Sequence, residues 1–135
     1  MKALITAVAA TALLASCGTA YQSSAPAGAP AGASTPTVAA DGSLVGPDGR
    51  TLYQFARDTA GSGQSACVDT CAVNWPPLGV AASAMPLGDY TIITRADGRK
   101  QWAYKGLPLY YYIKDTKPGD KMGAGVGGVW KVARP

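Results

Sequence analysis

The stretch Leu109-Tyr-Tyr-Tyr-Ile-Lys-Asp-Thr116 decides the fold, because residues 52–59 carry a second version of it, Leu-Tyr-Gln-Phe-Ala-Arg-Asp-Thr. The two octets align without a gap. Each contains a tyrosine, an aromatic residue two positions later and an aspartate three positions after that: Tyr53, Phe55 and Asp58, then Tyr110, Tyr112 and Asp115. An internal repeat of this kind predicts a domain built from two related halves.

The repeated motif has two interpretations. On a strand, the tyrosine and the aromatic residue two positions later share one face, so Tyr110 and Tyr112 lie opposite to Leu109 and Tyr111. The aspartate then falls at the strand end, where its carboxylate can accept backbone N–H groups and fix a turn. In the first interpretation the rings pack inside the fold. In the second, they form an exposed platform that stacks on a sugar or another planar ligand.

Turn signals divide the domain into short strands. Asp48-Gly49 and Asp97-Gly98 lie between apolar stretches, and Asp-Gly there is a strong hairpin signal because glycine accepts the positive φ of the turn. They predict two hairpins, in which residues 44–45 pair with 51–55 and residues 91–95 pair with 100–104. Strands are also expected at residues 107–113 and 128–132, and helical turns only at residues 66–73 and 81–85.

These elements predict a mainly β fold. We expect one small domain, residues 41–135, of two related halves that each contain a β-hairpin. Cys67 and Cys71 are expected to pin a short turn or helix segment of this domain through a disulfide, because an even cysteine pair outside the cytoplasm first indicates a bridge. A redox-active dithiol is the alternative, although the spacing is not Cys-x-x-Cys and the chain has no histidine to lower a thiol pKa.

The N-terminal region has the pattern of a bacterial lipoprotein signal. Met1-Lys2 precedes an apolar run that ends in Leu14-Ala15-Ser16-Cys17, and small residues before a cysteine are typical of the lipoprotein cleavage site. We expect residues 1–16 to be a signal peptide and Cys17 to carry the lipid, which would anchor the protein to a membrane. Residues 17–40 are dense in Ala, Pro, Gly and Ser, and predict a disordered tether.

Composition argues against several classes of function. The chain has no histidine and no glutamate, which removes most acid–base and nucleophilic arrangements and leaves no complete set of metal ligands. We therefore expect no enzyme activity, no metal and no cofactor. The net charge of +4 is spread without a basic run, so nucleic acid is not an expected partner. A solvated surface explains these charges, and mild attraction to an anionic membrane or wall polymer is the alternative.

The chain resembles the bacterial predicted lipoproteins that carry a Y-x-[FWY]-x-x-D motif, also described as a secreted repeat of unknown function. The resemblance covers residues 43–135 and lies in the segments Leu52–Asp58, Cys67–Cys71, Asn74–Leu78, Lys100–Gly106, Leu109–Asp115 and Gly128–Trp130. It implies an envelope location and an internal repeat. It implies no activity.

Together these features predict a lipid-anchored cell-envelope protein that acts as a non-catalytic structural or partner-binding module. In a Gram-negative cell, Gly18 after the cysteine favours the periplasmic side of the outer membrane; in a Gram-positive cell the protein would stay on the outer face of the cytoplasmic membrane. An envelope protein or a glycan is the expected partner. The alternatives are a glycan or small-ligand module that uses Tyr53, Phe55, Tyr110 and Tyr112, or an extracytoplasmic redox accessory protein.

Overall fold

The structure is a computed structural model that describes residues 35–135. The predicted signal peptide and Cys17 lie outside the described residues. The described part contains seven short strands, one α-helix and one 3-10 helix, in the order β1 (Thr37–Val38), β2 (Leu44–Val45), β3 (Tyr53–Phe55), α1 (Thr70–Asn74), β4 (Tyr90–Thr94), β5 (Lys100–Tyr104), β6 (Leu107–Pro108), the 3-10 helix (Val126–Gly128) and β7 (Trp130–Val132).

The strands form three small antiparallel sheets, with the orders β1-β2, β3-β7 and β4-β5-β6. Each half of the chain contributes one hairpin, β1–β2 in the first half and β4–β5 in the second. The predicted mainly β fold of two related halves is therefore confirmed. The second predicted hairpin is also confirmed, because β4 pairs with β5 from Tyr90↔Tyr104 to Thr94↔Lys100.

The domain begins earlier than predicted. Strand β1 lies within residues 17–40, which composition had assigned to a tether, and it pairs with β2 through Thr37↔Val45 and Val38↔Leu44. The turn between them contains Gly42 with a φ of 83°. The two residues of β1 are both exposed and are too few to show an apolar–polar alternation, so the strand is recognised only from its pairing with β2. The folded domain thus starts before residue 41.

The first predicted hairpin is only partly correct. Its turn exists, since the Gly46 amide donates to the Arg50 carbonyl over 3.0 Å and Val45 bridges Thr51. Residues 53–55, however, form β3, which pairs with β7 at the other end of the domain through Phe55↔Trp130. The Asp-Gly dipeptide predicted the turn correctly, because its own residues form that turn. It does not determine which strand pairs with the residues that follow.

The segment 107–113 is not one continuous strand. Leu107–Pro108 pairs with β5 as β6, after which Tyr110 forms single bridges to Tyr53 and Pro77. Proline lacks the N–H that a continuous ladder needs, and the chain changes partners directly after Pro108. The predicted alternation of side chains between two faces is nevertheless correct for residues 109–112. Leu109 and Tyr111 pack with one apolar cluster, while Tyr110 and Tyr112 belong to another.

The helical predictions had mixed outcomes. Residues 66–73 predicted a turn or two of helix, and α1 occupies residues 70–74. The second candidate, residues 81–85, is wrong, because it forms only a turn in which the Ala84 amide donates to Ala81. The closing strand begins at residue 130 rather than 128, because Gly127 and Gly128 take φ values of 61° and 68°, which a strand cannot contain.

A pseudo-twofold relation connects the halves, and it appears in matched backbone hydrogen bonds. Leu78 donates to Leu109 over 3.0 Å, and at the equivalent place Ala133 donates to Leu52 over 2.9 Å. Leu52 also donates to Leu44 over 2.9 Å, as Leu109 does to Trp102 over the same distance. The motif segment of each half therefore pairs with the closing segment of the other half. Neither half can complete its own hydrogen bonds.

Two buried clusters fill the domain, and both draw on both halves. One contains Leu44, Leu52, Leu78, Trp102, Tyr104, Leu109 and Ala133. The other contains Tyr53, Phe55, Cys67, Trp75, Tyr110, Tyr112 and Trp130. Because no cluster belongs to one half alone, burial of apolar surface couples the two halves as the hydrogen bonds do.

A substitution at Gly123 would show how tightly the aromatic cluster around Trp75 and Tyr53 is packed. A Cβ at this position would lie 2.8 Å from the Trp75 ring and 2.9 Å from the Tyr53 ring. We expect Gly123→Ala to lower the free energy of unfolding by about 1–3 kcal/mol, as overpacking of a core does. Urea unfolding followed by tryptophan fluorescence measures it.

Gly119→Ala is the matched control. Gly119 has a φ of +90°, and nothing lies within 4 Å of the place that a Cβ would occupy, so alanine meets backbone strain without any contact. That variant should lose only about 1 kcal/mol. Equal losses in the two variants would contradict close packing around Gly123.

Candidate functional site

The six motif residues meet at one buried centre between the halves. At its middle the Tyr53 amide donates to the Tyr110 carbonyl over 2.8 Å, and the Tyr110 amide donates back to Tyr53 over 3.0 Å. Both tyrosines are 0% exposed, and the other four motif residues, Phe55, Asp58, Tyr112 and Asp115, are also buried. The structure thus brings together all the motif residues singled out from the sequence.

The tyrosine of each half donates to the aspartate of the other. The Tyr53 hydroxyl donates to Asp115 Oδ2 over 2.5 Å, and the Tyr110 hydroxyl donates to Asp58 Oδ2 over 2.7 Å. A hydrogen bond to a carboxylate is stronger than one between neutral groups, and burial strengthens it further. The paired motif is therefore a reciprocal clasp between the halves.

The second oxygen of each aspartate holds a loop of its own half. Asp58 Oδ1 accepts the Ala66 amide over 2.7 Å, and Asp115 Oδ1 accepts the Met122 amide over 2.9 Å. The expectation that these carboxylates accept backbone N–H groups is met. The donors lie eight and seven residues further along the chain, so the carboxylates organise whole loops rather than local turns.

Four aromatic rings form a continuous stack beside this clasp, in the order Phe55, Trp130, Trp75 and Tyr112. The successive ring centroids lie 4.3, 3.7 and 4.1 Å apart, and the two indoles are almost parallel at 6°. Tyr53 packs edge-on against Trp75 at 5.4 Å, and Tyr110 packs edge-on against Trp130 at 5.2 Å. Each half supplies two rings to the stack.

The interpretation of the motif as an exposed aromatic platform is wrong for this fold. It required the rings of Tyr53, Phe55, Tyr110 and Tyr112 to face solvent, and none is more than 8% exposed. Their faces are covered by Trp75 and Trp130 or by each other. The repeated motif is a packing device, and a glycan cannot stack on it.

Motif reasoning missed the role of the two tryptophans at the centre of the stack. Trp75 follows Tyr53 by 22 residues, and Trp130 follows Tyr110 by 20 residues. These similar spacings, which differ by two residues, are the signal that could have placed the tryptophans at equivalent positions. They could not show that each tryptophan packs on the aromatic residue of the opposite half.

Burial and the clasp both act on proton affinity. Burial raises the pKa of the Tyr53 and Tyr110 hydroxyls, and the carboxylates that accept their hydrogen bonds raise these pKa values further. Burial also raises the pKa of Asp58, although the Tyr110 hydroxyl and the Ala66 amide oppose this change. The tyrosines thus stay protonated and keep their role as hydrogen-bond donors.

The predicted disulfide between Cys67 and Cys71 is confirmed. Cys67 is fully buried in the aromatic cluster, whereas Cys71 lies in the first turn of α1. Asp69 between them has a φ of 54°, so the bridged segment is a distorted turn, as expected for cysteines four residues apart. The bridge ties α1 to the core. Within residues 35–135, no group of three or more cysteine and aspartate side chains is placed to hold a metal ion.

The clasp can be measured with a double-mutant cycle. Tyr53→Phe leaves a buried Asp115 oxygen without its donor, and we expect the free energy of unfolding to fall by about 1–3 kcal/mol. Combining Tyr53→Phe with Asp115→Asn should show a coupling energy of about 1–2 kcal/mol in urea unfolding.

Asp58→Asn provides the comparison, because Asp58 is bonded to Tyr110 and not to Tyr53. Tyr53→Phe combined with Asp58→Asn should show clearly weaker coupling than the bonded pair. A coupling as large as that with Asp115 would contradict the reciprocal arrangement.

The raised pKa of Asp58 predicts a specific pH dependence. A carboxyl whose folded-state pKa is raised stabilises the fold fully below its unfolded value of about 3.9, and this contribution is lost as the pH rises through the folded pKa. We expect the stability difference between the wild type and Asp58→Asn to decline from acidic to neutral pH. Urea unfolding of both proteins at several pH values measures it.

Asp97 supplies a control of opposite sign. The Arg99 amide and guanidinium lower the pKa of Asp97, so its contribution should be present above its unfolded pKa and disappear as the pH falls. Asp97→Asn should therefore change the pH profile in the direction opposite to Asp58→Asn. The same trend in both variants would refute the assignment for Asp58.

Comparison with known proteins agrees with the repeat in the structure. A family model described as a secreted repeat of unknown function matches the chain twice, at residues 36–79 and 91–134. No curated protein and no solved structure gives a significant match. Between residues 35 and 135, no helix has the length and apolar character to cross a membrane. With most of its described residues covered by the two matches, the chain belongs to this family of secreted repeats of unknown function.

Proposed function

We propose that this protein is a lipid-anchored module of the cell envelope with a non-catalytic role, either structural or in binding a partner. The observation that carries the proposal is that the repeated motif is buried and fully engaged inside the fold. Its hydroxyls, carboxylates and rings are all engaged inside the fold, through contacts such as Tyr53–Asp115 and Tyr110–Asp58. The most conspicuous chemical groups of the sequence therefore build the domain, and its role depends on its surface and on where it is held.

The anchor is supported by the N-terminal sequence. Leu14-Ala15-Ser16-Cys17 has the pattern that precedes a lipidated cysteine, and the family is one of secreted proteins. Strand β1 begins at Thr37, 20 residues after Cys17. A flexible chain of 20 residues has a mean reach of roughly 25 Å, so a tether of that length would separate the domain from the anchored cysteine.

The location is proposed on the same basis. Gly18 after the lipidated cysteine favours the periplasmic side of the outer membrane in a Gram-negative cell, and in a Gram-positive cell the anchor would hold the domain on the outer face of the cytoplasmic membrane. The disulfide between Cys67 and Cys71 supports either location, because both are oxidising relative to the cytoplasm.

The anchor can be tested by fractionation. Cys17→Ala should move the protein from the membrane fraction to the soluble fraction and abolish incorporation of labelled palmitate, because the lipid is attached to that sulfur. Quantitative immunoblotting of the two fractions measures the change.

A variant with both Cys67→Ala and Cys71→Ala is the control, since it removes the other two cysteines and keeps the proposed anchor. It should remain in the membrane fraction and keep its palmitate label. Membrane association of Cys17→Ala at the wild-type level would show that something other than a lipid on Cys17 holds the protein.

A further inference from the structure

The segment that joins the two repeats is exposed and largely apolar. The family matches end at residue 79 and resume at residue 91, so residues 80–90 belong to neither repeat. Residues 81–88 of this segment, Ala-Ala-Ser-Ala-Met-Pro-Leu-Gly, carry no charge, and we call them the apolar loop. Met85 is 77% exposed and Leu87 is 66% exposed, the highest values for large hydrophobic side chains in residues 35–135. The repeat fold does not account for either side chain.

Hydrogen bonds on both sides of Met85 hold the apolar loop in place. Before it, the Ala84 amide donates to the Ala81 carbonyl over 2.9 Å. After it, Leu87 and Tyr90 exchange two backbone hydrogen bonds, each 3.0 Å long. Ala84 and Tyr90 also pack against the first buried cluster. The loop is therefore attached to the core at both ends, and the exposure of its two large side chains is a fixed feature of the fold.

The N-terminal part of the chain reaches the domain at the same surface. Thr35 lines an open cavity of about 360 Å³ together with Met85 and Leu87. Pro36 is buried, so the chain is held against the domain from that point on. The proposed lipid attachment site, Cys17, lies 18 residues before Thr35, and a flexible chain of that length has a mean reach of roughly 25 Å. A lipid on Cys17 would therefore hold this face of the domain close to the bilayer.

A second pair of exposed apolar side chains lies at the other end of the second hairpin. Val73 is 63% exposed and Ile113 is 51% exposed, and both lie beside Asn74, whose carbonyl accepts the Ile113 amide over 2.9 Å. Val73 lines a cavity with charged residues of the β4–β5 turn, whereas Leu87 bonds to Tyr90 at the opposite end of β4, roughly 14 Å away along that strand. Among residues 35–135, no charged residue lines the cavity beside Leu87.

We propose that the apolar loop docks on the membrane that holds the protein, with Met85 and Leu87 entering the lipid headgroup region. This inference rests on the proposed lipid anchor. A specific protein interface buries about 800 Å² on each partner, more than two side chains supply, whereas insertion into a bilayer needs no complementary surface. The anchor keeps the loop at a high local concentration near lipid, so a weak contact is sufficient.

The docking does not depend on anionic lipid. Asp89 directly follows the apolar loop, and its carbonyl accepts the Lys105 amide over 2.9 Å. One negative and one positive residue thus border the loop, and their attractions to a charged membrane oppose each other. A bilayer of zwitterionic phosphatidylcholine is therefore the appropriate probe.

The test uses the ¹⁵N-labelled protein as the cell makes it, reconstituted in phosphatidylcholine nanodiscs. A fraction of the lipid carries a nitroxide on its headgroup, which broadens the resonances of nearby amides. The amides of Met85, Leu87 and Gly88 should lose most of their intensity, whereas those of Val73 and Asn74 should keep theirs. Equal losses at both places, or no loss at either, would overturn the docking and leave the anchor standing. A protein that elutes apart from the nanodiscs would refute the anchor, and the docking with it.

Two double variants give an independent readout at the Gly88 amide. Met85→Ser combined with Leu87→Ser should reduce the intensity loss at Gly88 to the level at α1, because the side chains that enter the lipid are gone. Val73→Ser combined with Ile113→Ser is the matched control and should leave the loss at Gly88 unchanged. All four side chains are more than half exposed, so both variants should fold. A wild-type loss in the first variant, or a reduced loss in the control, would contradict the proposal.

A second copy of the chain is the competing occupant of the apolar loop. Without nitroxide, the Gly88 resonance should not change when the number of protein molecules per nanodisc is raised. A shift that grows with that number would assign the loop to contact between copies and would overturn docking on lipid.

Discussion

The fold depends on the exchange of hydrogen bonds between two copies of one motif. Tyr53 donates to Asp115 and Tyr110 donates to Asp58, while the two tyrosine backbones bond to each other between them. Each aspartate uses its remaining oxygen to hold a loop of its own half. Each of the two carboxylates therefore joins the halves and also holds a loop in place. Strand pairing, the aromatic stack and the disulfide segment are all arranged around these two carboxylates.

Local patterns in the sequence predicted local structure well. Alternation placed Tyr110 and Tyr112 opposite to Leu109 and Tyr111, because the period of a strand is fixed by its own backbone. The Asp-Gly turns were predictable for the same reason, as was the acceptance of backbone N–H groups by Asp58 and Asp115, although the donors lie in longer loops than the predicted local turns. Each depends on groups that lie within about ten residues of one another.

Pairings between distant segments could not be predicted. The two tyrosine–aspartate hydrogen bonds join residues 62 and 52 positions apart, and nothing near Tyr53 indicates that Asp115 rather than Asp58 accepts the hydrogen bond from its hydroxyl. The pairing of β3 with β7, and the packing of Trp75 and Trp130 on the motif rings, also join distant residues and could not be predicted from the sequence for that reason. The burial of Arg95, which in the sequence resembles an ordinary surface charge at a strand end, was not predictable either.

The pairing of β3 with β7 has a consequence for export. A secreted chain crosses its membrane unfolded, and residues nearer the N-terminus usually emerge first. Here the first half cannot complete its fold on emergence, because Phe55 pairs with Trp130 and the Leu52 carbonyl accepts the Ala133 amide, and both partners lie near the C-terminus. Such long-range contacts form late. A chain exported in an unfolded state would therefore stay unfolded, and competent for translocation, until nearly all of it had crossed.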